Sequence, residues 1–115
     1  MKNIQLTCAH ALVKFLIAQK TLIDGKKEPL FPGVFGIFGH GNVACLGQAL
    51  QENQKNLPTW RGHHEQNMAL TGIAYSRAKR RKQIFVATSS VGPGSTNMIT
   101  AAAVAMSNRL PILFL

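Results

Sequence analysis

A chain of 115 residues, 46% hydrophobic and 15% charged, makes one small domain with a modest core and leaves no room for a second of ordinary size. Thirteen Lys and Arg face only four acids, Asp24, Glu28, Glu52 and Glu65, for a formal net charge of +9. Carboxylates this sparse and scattered nearly rule out a paired-carboxylate glycosidase or protease, and they exclude an acidic calcium cage.

Thr7 is placed to cap a helix that runs to about Lys20. Ala9, Leu12, Val13, Leu16 and Ile17 follow the spacing of one buried face. Asp24 to Pro32 reads as a polar turn region. Val34 to Phe38 is a short, continuously apolar run, the mark of a strand buried on both faces. Gly39-His40-Gly41-Asn42 reads as a loop, after which Val43 to Leu50 resumes helical spacing. A polar turn over 53–58 precedes a short strand at Thr59-Trp60-Arg61. The loop Gly62-His63-His64 then leads into a helix from Glu65 to about Lys79.

Gln83 to Thr88 is a clear strand, followed by a loop over Ser89 to Gly94. Ser95 or Thr96 is expected to cap a small-residue helix from Asn97 to Met106, and Leu110 to Leu115 forms a last strand. Alternating helices and continuously apolar strands predict an α/β fold, a parallel sheet with helices on both faces. The last strand reaches the final residue with no turn or polar tail, so the sequence reads as part of something longer.

Cys8 and Cys45 lack C-x-x-C spacing and fit a reduced chain better than a disulfide framework. The longest apolar runs, 101–106 and 110–115, are too short to span a bilayer. Lys2 precedes no clean apolar leader, since Lys14 interrupts the nearest candidate, Ala11 to Ala18. A cytoplasmic protein without membrane contact is the expectation.

Three strand-to-helix junctions could carry chemistry, because ligands gather at the carboxyl ends of parallel strands. The first, Phe38 to Ala44, formally fits G-x-G-x-x-[GA]. Glu65, however, opens a helix instead of ending a strand, so a dinucleotide site is disfavoured against a plain tight turn. The second, Arg61 to Ala69, puts Glu65 at a helix N-terminus, where a carboxylate also serves simply to complement the dipole. His63 and His64 are adjacent and diverge, which suits zinc badly even with His40 as a third ligand, so no metal site is predicted. The third is Thr88 to Asn97, where Gly92-Pro93-Gly94 forms a rigid turn that a ligand can approach closely. It lacks the lysine of an ATP-binding P-loop. The basic run Arg77, Lys79, Arg80, Arg81, Lys82 has no interleaved aromatics. It fits a solvated helix end better than a nucleic-acid footprint.

In this order the junctions resemble the N-terminal pyrimidine-binding (PYR) domain of thiamine-diphosphate-dependent enzymes. The matching residues are Gly36-Ile37-Phe38-Gly39-His40-Gly41-Asn42, His64-Glu65-Gln66, Thr88 to Met98, and Asn108-Arg109-Leu110-Pro111. Within that family the likeness is greatest to the hydrolases that open a cyclic trihydroxy-1,2-dione in myo-inositol degradation. Asn67 departs from the glycine usual after His-Glu-Gln.

The resemblance implies that Glu65 is the catalytic carboxylate that holds pyrimidine N1′ and promotes loss of the thiazolium C2 proton. It implies that Gly92, Pro93, Gly94 and Asn97 shape the cofactor wall, and that His40, Gly41 and Asn42 line the substrate side. Residues 1–115 would be the N-terminal part of a PYR domain. The central domain, and the C-terminal domain holding the diphosphate and Mg²⁺, would lie outside them. The implied partners are a cyclic diketone, those remaining domains and a second subunit of a homo-oligomer. The chain alone would be inactive. Acetohydroxyacid synthases and 2-oxoacid decarboxylases share most of these motifs and stay open as parents. A non-catalytic interaction module and a basic nucleic-acid-binding domain are the alternatives of other classes.

Overall fold

The structure, a computed structural model, describes residues 3–115, so Lys2 lies outside it. Helix α1 spans Cys8–Ala18, and the Thr7 hydroxyl accepts from the backbone N–H of His10, as a cap should. Val13 and Leu16 are buried, with Ala9, Leu12 and Ile17 packed beside them. That is the face expected from the spacing.

The region expected as a turn is instead a hairpin. Strand β1 (Lys20–Ile23) pairs antiparallel with β2 (Lys26–Pro29) through Asp24-Gly25. Both turn residues have positive φ, 50° and 79°, the handedness that lets a two-residue loop match the twist of the strands it joins. Asp-Gly was the local signal, and the lack of apolar alternation in Lys26-Lys27-Glu28-Pro29 hid the second strand.

Four short parallel strands make the main sheet: β3 (Val34–Gly36), β4 (Thr59–Arg61), β5 (Val86–Thr88) and β6 (Leu113–Phe114), in the order β4-β3-β5-β6. Val34 stands opposite Thr59 on one side and Val86 on the other, and Val86 stands opposite Leu113. Successive strand residues feed opposite layers, as a pleated strand must. Val34 and Val86 join α1-side residues Val13, Leu16, Leu46, Leu50 and Leu57 in one core. Ala87 joins Met68, Ala69, Ile73, Met98, Ala101 and Ala105 in the other, with Phe35 against it. Removing each such large aliphatic side chain from water contributes about 1.5–3 kcal/mol, enough for two thin cores to clamp one sheet.

The helices therefore cover both faces, and the chain is an α/β domain as its pattern predicts. After β3 the backbone turns straight into helix: α2 (Gly39–Asn42), a π-helical segment Val43–Gly47 and α3 (Gln48–Glu52) follow without a break. The expected loop at 39–42 is thus a first helical turn. Two glycines in four residues conceal it, because glycine is a poor helix former. Helix α4 is Glu65–Ala78, within a residue of expectation.

Ser95 and Thr96 do not cap the last helix. They belong to a short turn, α5 (Pro93–Thr96), and both hydroxyls donate back to the Gly92 carbonyl. The last helix, α6, is Ile99–Asn108, and its N-cap residue Met98 makes no side-chain cap bond. Its Ala101 and Ala105, one turn apart, pack on α4. No described helix is long and apolar enough to cross a membrane.

Candidate active site

Strand order reverses at β3. The chain leaves β3 for β4 on one side and then returns, through α4, to β5 on the other. Backbone leaving β3 and β5 diverges there and opens a crevice at their carboxyl ends, where Gly36 stands opposite Thr88. The segments that follow β3, β4 and β5 are those expected from sequence to carry chemistry.

One side of the crevice is a cavity of about 330 Å³ lined by Phe38 to Asn42 with Ser90 and Val91. His40 and Gly41 are exposed there, whereas Asn42 is half-buried and its amide donates to the Ser89 carbonyl at 3.2 Å. The two walls touch. A Cβ on Gly39, whose φ is +62°, would lie 2.5 Å from Ser90 Cβ, so only glycine lets α2 begin this close to the β5 loop.

The other side is built around Glu65, the first residue of α4. Extended backbone at His64 (φ −154°) turns the chain into the helix. Across from Glu65 is the Gly92–Asn97 turn. Asn97 donates through Nδ2 to Glu65 Oε2 at 3.1 Å, spanning 32 positions of sequence. A Cβ on Gly94, which is buried, would sit 3.0 Å from Glu65 Oε1 and would collide with Ser90 Oγ. Ser90 is therefore the hinge between the two halves of the crevice. It was not singled out from sequence, where the only signal was its place just ahead of Gly-Pro-Gly.

Glu65 is held below the ordinary carboxylate value. The main cause is the Asn97 amide, the next its own backbone N–H; desolvation opposes them and loses, and His64 adds a smaller push downward. Partial burial and the helix end oppose each other at this residue, and the hydrogen bonds decide the sign.

The structure thus brings Glu65, Gly94 and Asn97 together, with Gly92 and Pro93 forming the turn that carries Asn97, and sets His40, Gly41 and Asn42 beside them through Ser90. His63 and His64 are exposed, and among the described residues no group of three His, Cys, Asp or Glu is placed to hold a metal ion. Cys8 and Cys45 are free and exposed. The basic run is partly engaged within the chain. Arg81 donates through Nε to the Arg109 carbonyl at 2.9 Å, and Lys82 lies 3.8 Å from Asp24.

Residues 22–115 match the family model described as thiamine pyrophosphate enzyme, N-terminal TPP binding domain. The chain belongs to this family. It is 52% identical over 114 residues to the 3D-(3,5/4)-trihydroxycyclohexane-1,2-dione hydrolase of Listeria innocua, covering 99% of this chain and 18% of that protein. Proteins of the same name resemble it equally in Geobacillus thermodenitrificans, at 53% identity, and in Clostridium tetani, at 50%, each over the whole of this chain and 18% of the relative. The chain thus spans under a fifth of the length of the curated relatives it matches.

The matched region takes in the crevice residues from Gly39 to Asn97. His10, which bonds Glu52 at 2.8 Å across the α1–α3 contact, lies before it. That pair went unnoticed in the sequence, since 42 positions separate the partners and neither belongs to a motif.

Proposed function

We propose that this chain supplies the pyrimidine-side wall of a thiamine-diphosphate site in a C–C hydrolase acting on a trihydroxycyclohexane-1,2-dione. The observation that carries the reading is the meeting of Glu65 with the Gly92–Asn97 turn at the carboxyl ends of β3 and β5. The substrate class rests on the names of relatives that are identical to this chain at about half of its own positions.

The residues present suit such a cofactor. A ring nitrogen that carries a proton needs an acceptor, and an ionised carboxylate is acceptor-only. Glu65 is biased toward that form by Asn97. A flat ring needs a wall without side-chain bulk, and Gly94 brings bare backbone up against Glu65 Oε1 and Ser90 Oγ, where no Cβ would fit. When bound, thiamine diphosphate supplies the carbanion chemistry that makes a C–C bond next to a carbonyl cleavable.

The protein's own tasks are narrower. Glu65 would accept a hydrogen bond from a ring nitrogen that carries a proton and so favour that protonated form of the pyrimidine. Gly92 to Gly94 shape the face against which it rests. His40, Gly41 and Asn42 form the rim on the substrate side, where exposed imidazole and backbone N–H groups offer donors to a diketone's oxygens. The diphosphate and its Mg²⁺ are held by parts of the full-length enzyme that these residues do not include. The 115-residue chain is accordingly inactive alone.

Two measurements test this. In a full-length relative, Glu65→Gln at the aligned position slows exchange of the thiazolium C2 proton about a hundredfold or more, followed by NMR in D₂O. Near wild-type exchange overturns the role given to Glu65. Calorimetry on the 115-residue chain shows no measurable affinity for thiamine diphosphate, and clear micromolar binding overturns the division of the cofactor site.

A further inference from the structure

The hydrogen bond between Asn97 and Glu65 treats the two carboxylate oxygens differently. Oε2 accepts from the Asn97 amide at 3.1 Å, while Oε1 is the oxygen that faces Gly94. Asn97 is well placed for this task. Its own backbone N–H donates to the Pro93 carbonyl at 3.2 Å, and the turn beneath it is tied down at Gly92, whose carbonyl accepts from Thr96 N, Thr96 Oγ1 and Ser95 Oγ. Three donors on one carbonyl make a stiff base for one side chain.

The amide is also chemically selective. Nδ2 can only donate, so it matches either oxygen of a carboxylate but, in a protonated carboxyl, only the oxygen that carries no proton. A neutral partner does this without bringing a second titration into the crevice.

We infer that Asn97 is the positioning residue for Glu65, fixing Oε2 so that Oε1, on the Gly94 side, is the oxygen presented to a ring nitrogen. This rests on the reading of Glu65 under Proposed function, and it gives the Gly-Pro-Gly-Ser-Thr-Asn turn two jobs. Gly94 withholds bulk from one carboxylate oxygen, and Asn97 three residues later occupies the other. It also accounts for an exposed asparagine reaching across 32 positions to an acid.

The test uses the 115-residue chain with ¹³C-labelled glutamate and no thiamine present. In the unaltered chain the Asn97 side-chain NH₂ resonances move with the Glu65 midpoint, and this dependence vanishes in Glu65→Gln. Asn97→Ala raises the Glu65 midpoint. Asn97→Asp, of the same size but with a like charge in place of the donor, raises it further. Asn97 resonances indifferent to the Glu65 midpoint overturn the inference, even if neither Asn97 variant folds. An unmoved Glu65 midpoint in a folded Asn97→Ala chain overturns it as well.

In a full-length relative the Asn97→Ala equivalent slows C2 exchange roughly tenfold, the worth of one hydrogen bond to a charged group, and shifts the acid limb of the pH profile upward. The two failures stay separate. Indifferent titrations remove the Asn97 clamp and leave the role of Glu65 standing. Wild-type exchange in Glu65→Gln removes that role and leaves the clamp.

Discussion

Two glutamates sit at helix ends in this small basic domain, and their partners set them apart. Glu52 ends α3 and bonds His10 Nε2 at 2.8 Å, while Thr7 lies 2.7 Å from the other ring nitrogen. Glu65 begins α4 and takes its hydrogen bond from an amide. Both are held below the ordinary carboxylate value, Glu52 chiefly by His10 and then by Gln48, Glu65 chiefly by Asn97. An imidazole partner on α1 makes the Glu52 contact a tie between two helices. An amide partner holds Glu65 from across the crevice, beside the backbone of Gly94. A lowered pKa alone therefore does not mark a functional carboxylate; partner and surroundings do.

The comparison breaks most visibly in catalysis. The slowing of C2 exchange by about a hundredfold in Glu65→Gln should have no counterpart in Glu52→Gln, measured in the same full-length relative. If Glu52→Gln slows exchange as much, the distinction fails. Next in size, the Gly94→Ala equivalent in that full-length relative weakens thiamine diphosphate binding about tenfold or more by calorimetry. One methyl group there forces aside both Ser90 and Glu65. Unchanged affinity would mean that the close approach of Gly94 to Glu65 and Ser90 plays no part in binding.

On the Glu52 side the effects are on stability. Thr7→Ala removes the α1 cap and the hydroxyl beside His10, and costs about 1 kcal/mol in urea unfolding at neutral pH. The smallest effect is in pH dependence. The folded pKa of Glu52 is lowered, so the stability it contributes is complete above the ordinary carboxylate value of 4.5 and is lost as pH falls from there through the folded value. His10→Ala removes the leading cause of that lowering and flattens the fall in stability below pH 4.5, seen by comparing urea midpoints at neutral and acidic pH. An unaltered acid slope would show the pair to be energetically idle, as exposed ion pairs often are.

Much of the fold was legible because its signals are local. Val34 to Phe38 and Gln83 to Thr88 announce buried strands by unbroken apolarity, and Leu12, Val13, Leu16 and Ile17 announce a helix face by spacing. The strands proved shorter than their apolar runs, since Ile37 just after β3 and Phe85 just before β5 lie outside the paired residues. The β1–β2 hairpin was hidden by a charged second strand. The helical turn at 39–42 was hidden by its two glycines, of which Gly39 permits the approach of Ser90.

For the crevice, residue identities were readable and their connections were not. Glu65 stood out as one of four acids, and Gly92-Pro93-Gly94 as a rigid turn, and a family resemblance joined them to a cofactor. That Asn97 reaches one oxygen of Glu65, that Gly94 faces the other and that Ser90 joins both halves required the sheet order β4-β3-β5-β6. That order is a matter of which strands pair, and pairing between distant segments is decided by packing across two cores. The sequence by itself determined which pieces of backbone would be strand or helix and which acid would be scarce enough to matter. Only the tertiary structure decided which oxygen of that acid is held and which faces glycine, because a contact over 32 positions depends on how layers stack and leaves no period or spacing in the chain.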